Sequence, residues 1–305
     1  MLSRFPCLSL IAFAAMTASS GSLLDYARPD SDALIYIDVA QAEKAMDKAL
    51  WNKIEEDKLA AQNRAREEPD EDAHESPDLF GAMSDMRPEF VANITLVSRE
   101  PLRLMIEGAI LFRTGEDGRK LLEGLAGPLV GDESSVPVSL SIEEADDGIC
   151  KFLLLYNMKK RVSLPPPAHS AARCDMFGRL ISMNPSACIL MNSIRWAPLL
   201  GGNEASRDLQ SLMIRADAVG IAVSVRARTI HFSAEAAFRR ERDVADYAQN
   251  AEAMSGDVGM LLSGPILYGV SSSAHGLVVS VAADIGIDEA WTSLGTLKEE
   301  EPPAK

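Results

Sequence analysis

Residues 67–78 read EEPDEDAHESPD, seven acids and one histidine in twelve positions. Asp70, Asp72 and His74 stand at alternate positions, as the first ligands of a calcium loop do. Such a loop then needs Gly at its sixth position and Glu at its twelfth, where this chain has Glu75 and Gly81. Pro69 and Pro77 flank the segment and its like charges repel. The pattern therefore points to an extended solvated loop, with Asp70, Asp72 and His74 as the metal candidates it would offer.

Nucleophilic chemistry has one candidate, the run SSSAHG, where Ser273 and His275 are two apart on a strand and share a face. A Ser–His pair also needs an orienting carboxylate and an oxyanion hole, and no G-x-S-x-G elbow is present. A turn rich in small polar residues accounts for the same letters. His231 alternates with Ile230 and Phe232 and reads as a solvent-facing or hydrogen-bonded structural histidine, while His169 follows a run of three prolines. Asp38 and Asn192, each ending a strand, read as sharing a cap or turn role more than a catalytic one. GEDGRK lacks the spacing of a phosphate loop and no G-x-G-x-x-G follows a strand, so no cofactor is expected. Asn93-Ile94-Thr95 is a formal glycosylation sequon lying in a strand.

The chain begins MLSRFPCLSLIAFAAMTASSGS, with Arg4, then an apolar run, then small residues. That is the order of a secretory signal peptide, expected to be cleaved near Ser20. No later apolar run reaches membrane-spanning length. The 47% hydrophobic content supports a substantial core. The net charge of −15 is concentrated in residues 67–78 and Glu299–Glu301. With Lys159-Lys160-Arg161 as its one dense basic run, the chain gives no support for nucleic-acid binding. Cys150, Cys174 and Cys188 remain after cleavage. In an oxidising compartment one pair and one free thiol are possible, and spacing does not decide the pairing.

The elements that must position these residues come in a series. DALIYIDV is a strand, and AEKAMDKALWNKIEEDKLAAQ is a helix with Ala42, Met46, Leu50 and Ile54 near one stripe. FVANITLVS and LRLMIEGAILF are strands turned at Glu100-Pro101, and GEDGRKLLEGLAG is a helix. VPVSLSIEE and ICKFLLLYN are two more strands. The series restarts after a Pro-rich segment. SACILMN, a helix over SRDLQSLMIRA, the strands AVGIAVSVRA and TIHFSAEAAF, the helix RRERDVADYAQNAEAM, and the pair LYGVSSSA and GLVVSVAAD follow, with a closing helix IDEAWTSLGTL. Each series is β-α-β-β-α-β-β. ALIYID and ACILMN share Ala and Ile in step, and FRTGED matches FRRERD. From Ala33 to Phe112 is 79 positions and from Ala187 to Phe238 only 51, so the first series is longer by 28 and the acidic stretch falls in that excess.

The reading is an α+β fold: a tandem duplication of a β-α-β-β-α-β-β unit in ferredoxin-like order, with antiparallel sheets and helices packed on one face. Residues 1–20 are the signal peptide and 21–160 the first unit, with an acidic insertion at about 60–88. A Pro-rich linker spans 161–185, the second unit 186–298 and an acidic tail 299–305. In element order the chain resembles exported bacterial proteins of the group described as domain of unknown function 3352. The resemblance implies an envelope or secreted location and no known activity, and it carries over no functional residue. The expectation is an exported, non-enzymatic binding protein of the cell envelope with a protein or envelope partner. The alternative is an extracytoplasmic hydrolase using carboxylates or Ser273 and His275.

Overall fold

The computed structural model describes residues 23–53, 56, 88–111, 137–144, 149–162, 171–199, 210, 211, 213–248 and 267–287. Its centre is one ten-stranded antiparallel sheet. The strands are β1 (Ala33–Asp38), β2 (Glu89–Arg99), β3 (Leu102–Leu111), β4 (Val138–Glu144), β5 (Ile149–Tyr156), β6 (Ala187–Asn192), β7 (Ala216–Arg226), β8 (Thr229–Phe238), β9 (Leu267–His275) and β10 (Val278–Gly286). Their order across the sheet is β4-β5-β3-β2-β1-β6-β7-β8-β10-β9. The eight inner strands are rich in β-branched and aliphatic residues, which suit a pleated surface, while β4 and β9 at the two edges carry more polar ones. Tight connections join β2 to β3 at Glu100-Pro101, β7 to β8 around Ala227 (φ 52°) and β9 to β10 at Gly276 (φ 58°). Gly276 supplies the left-handed backbone a side chain resists.

The strand order reads the same inward from either edge, with β1 and β6 at the centre. β1 pairs with β6 over Ala33↔Met191 to Ile37↔Ala187, so the sheet is continuous across the middle of the chain. Ferredoxin-like order was expected. Every pairing of the named strands is antiparallel, as expected, but in a split β-α-β unit another strand lies between the two that the helix joins. Here β1 lies directly beside β2, so the helical excursion after β1 returns the chain to the adjacent lane.

Helices pack on both faces, which corrects the one-face expectation. On one face α2 (Ala171–Ser182) lays Met176 and Leu180 against Leu34, Tyr36, Cys188 and Leu190. Gly220 makes room for it: a Cβ there would lie 2.5 Å from Leu180 Cδ1 and 2.8 Å from Met176 Sδ. On the other face Met213 and Val244, from the helical segments 213–215 and 241–248, pack against Val219, Ala236 and Val279. Val219 and Gly220 are neighbours on one strand and so point to opposite faces.

Two helix readings change as well. The linker expected over 161–185 contains α2, whose stripe of Ala172, Met176 and Leu180 is obscured in sequence by the prolines before it. The single helix expected after β1 is divided. α1 (Val39–Ala45) begins under Asp38, whose carboxylate accepts the Gln41 N–H at 2.8 Å, the capping role read from sequence. It ends at Met46, which turns extended and bridges to Ala227. Asp47 then restarts helical backbone by accepting the Leu50 N–H at 3.0 Å. Asn192 precedes α3 (Ser193–Trp196) without a side-chain cap bond.

The segment before β1 ties the halves together. Asp32 accepts the Leu96 N–H at 2.8 Å and pairs with Arg195 at 3.3 Å, while its carbonyl accepts from Trp196 Nε1. Arg173 on α2 donates to the Asp30 and Ser31 carbonyls. Buried polar groups so paired fix α2 and α3 against β1 and β2.

Candidate functional site: a polar cleft over the first half of the sheet

Strand register builds the site. Asn93 on β2 faces Glu107 on β3, Glu107 faces Leu153 on β5, and Leu153 faces Ser141 on β4. The next row in the same direction runs Val91, Ala109, Lys151, Glu143. Directly paired residues share a face, so two rows place Asn93, Glu107, Lys151, Ser141 and Glu143 together on the face that α2 covers farther along. The 3-10 turn Leu23–Tyr26 packs on β2 and β3 and brings Tyr26 and Arg28 alongside. Arg161 arrives from the segment after β5. These residues line a cleft of about 540 Å³, within the size range of small-molecule sites.

Glu107 is the centre of its charge pattern. Its carboxylate accepts Arg28 Nη1 at 3.0 Å on one oxygen and pairs with Arg161 on the other. Arg161 is 63% exposed and Glu107 only 19%. Asn93 is almost fully buried and holds the wall: it accepts the Arg28 N–H at 2.7 Å and donates to the Tyr26 carbonyl at 2.9 Å and the Glu107 carbonyl at 3.2 Å. Lys151 does not pair with Glu143, its cross-strand neighbour. Its Nζ lies 5.3 Å from the centre of the Tyr26 ring, a cation–π contact. Two guanidiniums thus share one carboxylate, and an ammonium rests on an aromatic face. The lining carries a surplus of positive charge in a chain of net charge −15. That arrangement suits an anionic group on a small ligand, held by charge-assisted hydrogen bonds.

None of these residues was singled out by sequence, apart from Asn93 as a sequon and Arg161 as part of a basic run. The available signal was a polar residue interrupting each apolar strand: Asn93 in FVANITLV, Glu107 in LRLMIEGAIL and Lys151 in ICKFLLLY. With its amide spent on Tyr26 and Glu107, Asn93 is no acceptor for a glycan in the folded chain.

Ser273 and His275 lie on β9 at the sheet edge, both exposed, paired with Ser280 and Val278. Among the described residues no hydrogen bond joins them. His231 has the carboxylate partner instead: its Nδ1 is 2.7 Å from Asp284 Oδ1 directly across β8 and β10. Ser224 lies opposite His231 on its other side and is buried, with no hydrogen bond to the imidazole. This agrees with the structural histidine read from sequence. Asp70, Asp72, His74 and His169 lie outside the described residues, among which no group of three or more metal-ligating side chains converges. Among the described residues Cys150, Cys174 and Cys188 form no disulfide, and burial pushes the Cys188 thiol up to about 12. A second cleft, of about 450 Å³, is lined by Arg215, Arg239, Arg240 and Arg242 with Asp243 and Asp246. Its arginines are largely spent on acids, Arg239 on Asp217 at 2.8 Å and Arg215 on Asp246 at 3.5 Å. No helix among the described residues is long and apolar enough to cross a membrane.

No family model and no curated protein matches the chain. Among solved structures, crystal form III of TP0453 is similar at 10% identity and a TM-score of 0.39, covering 92% of this chain and 100% of that one. Crystal form I gives 0.38 and form IV 0.36 at the same identity. Likeness at this level carries no argument for fold or function.

Proposed function

We propose that this chain is an exported, non-enzymatic binding protein of the bacterial cell envelope, and that its ligand is a small organic anion received in the cleft around Glu107. The carrying observation is the charge arrangement: Arg28 and Arg161 share one carboxylate while Lys151 rests on Tyr26. Export is supported by the signal-peptide order of the first twenty residues and by the resemblance to exported proteins of the domain of unknown function 3352 group. Tandem duplication is part of the same reading. Its support is the recurrent β-α-β-β-α-β-β series and a strand order that mirrors about the β1–β6 junction.

A thermal-shift screen of residues 21–305 with citrate, glutamate and inorganic phosphate tests the binding. A saturable rise in unfolding temperature is expected for at least one, as mass action requires of a ligand selective for the folded state. No shift with any of them at ~10 mM, well above ordinary small-ligand affinities, counts against the proposal.

A further inference from the structure

The two edges of the sheet differ. β4 carries Glu143 and Glu144, and Pro137 immediately precedes it; charges and proline are the usual protection of an open edge. β9 reads LYGVSSSAH, with no Asp, Glu, Lys, Arg or Pro. Among the described residues it lies last in the sheet, and Ser271 to His275 are all exposed. The one irregularity in its pairing lies at Ala282/Asp284 of β10, towards the Tyr268 end, so the stretch from Ser271 to His275 is regular strand.

We infer that β9 is a self-pairing edge, and that two copies of this chain join β9 to β9 antiparallel about a two-fold axis. Such an interface sets the strand against itself. At β9, centred on Ser273, that sets Ser272 against Ala274 and Ser271 against His275, with no acid, lysine or arginine among them; at β4, centred on Ser141, it would set Glu143 and Glu144 of each copy at the ends of the pair, beside Ser139 and Val138 of the other. The chain already uses this kind of junction internally. β1 and β6, each the first strand of its series, pair antiparallel at the centre of the sheet. Main-chain hydrogen bonds would supply the affinity, as in other strand-addition contacts. An edge alone buries less than a standard interface, so the dimer is expected to be weak, with Kd on the order of 10–100 μM. The net charge of −15 opposes association, so the dimer should strengthen with salt.

Sedimentation equilibrium of residues 21–305, spanning loading concentrations on both sides of that Kd, is the test. A monomer–dimer equilibrium is expected, with the dimer fraction rising between ~20 and ~300 mM salt. Ser272→Lys with Ala274→Lys should yield monomer at unchanged unfolding temperature, although the added charge lowers the net repulsion between copies. Ser139→Lys on the opposite edge should leave the dimer intact. Hydrogen exchange gives a reading that needs no variant: the amides of residues 271–275 should gain protection as wild-type concentration rises. The inference is overturned by a monomer throughout, by a dimer indifferent to the β9 lysines, or by β9 protection that does not change with concentration. Protection that appears only on adding an unrelated extended peptide would make the edge a peptide site and overturn self-pairing too.

Discussion

Glu107 accepts from Arg28 and Arg161 with its carboxylate and from Asn93 with its carbonyl. On the proposed function its charge holds the place of a ligand anion. Glu107→Gln should therefore tighten anion binding, about tenfold, by releasing two guanidiniums. A purely structural Glu107 would instead give looser binding and lower stability, and titration calorimetry on the variant separates the two outcomes. Cys188 provides a second expectation. Burial raises its thiol to about 12 from an ordinary value of 9.0. Between those pH values the unfolded chain binds fewer protons than the folded one, so this residue's contribution to stability is intact below pH 9.0 and is lost as pH rises towards about 12. Chemical denaturation should show a steeper alkaline loss for wild type than for Cys188→Ala. At pH 8 a thiol reagent should modify half-buried Cys174 before Cys188, whose thiolate is scarce.

The strands were legible element by element, because alternation and the turn signals at Glu100-Pro101, Arg228-Thr229 and His275-Gly276 are local properties of the sequence. Pairing was not. Nothing local states that β3 takes β5 as its neighbour and leaves β4 at the edge. α2 was missed because its stripe is short and follows a proline run, and the break at Met46 because the bond that fixes it comes from Ala227, far along the chain. Packing at this scale can be tested at two glycines. Gly220→Ala would push Leu180 and Met176 away from the sheet, at a cost of about 1–3 kcal/mol. Gly108→Ala is expected to cost more, about 3 kcal/mol or above, because its Cβ would meet the Val91 carbonyl oxygen, which belongs to backbone. Urea denaturation of both gives the order; equal and negligible effects would refute the close approaches.

Across the whole molecule, the sequence showed two series of elements but not whether they form separate modules. The register of β1 against β6, the core shared by Leu34, Tyr36, Cys188 and Leu190, and the bonds from Asp32 and Arg173 make one body of them. A single unfolding transition is expected by calorimetry, and Asp32→Ala should lower its midpoint, at a cost of about 2 kcal/mol. Two resolved transitions would mean that the halves unfold apart. The cleft was illegible for the same reason: Asn93, Glu107, Lys151 and Ser141 come from four strands, and only the sheet order makes them neighbours. The most direct test of the account is titration calorimetry of the strongest anion from the thermal-shift screen against wild type, Lys151→Gln and Arg215→Gln, two variants that each remove one positive charge. The account expects Lys151→Gln to weaken binding at least about tenfold and Arg215→Gln to leave it within about twofold. Equal losses in the two would reduce the effect to overall charge and contradict a site in the cleft.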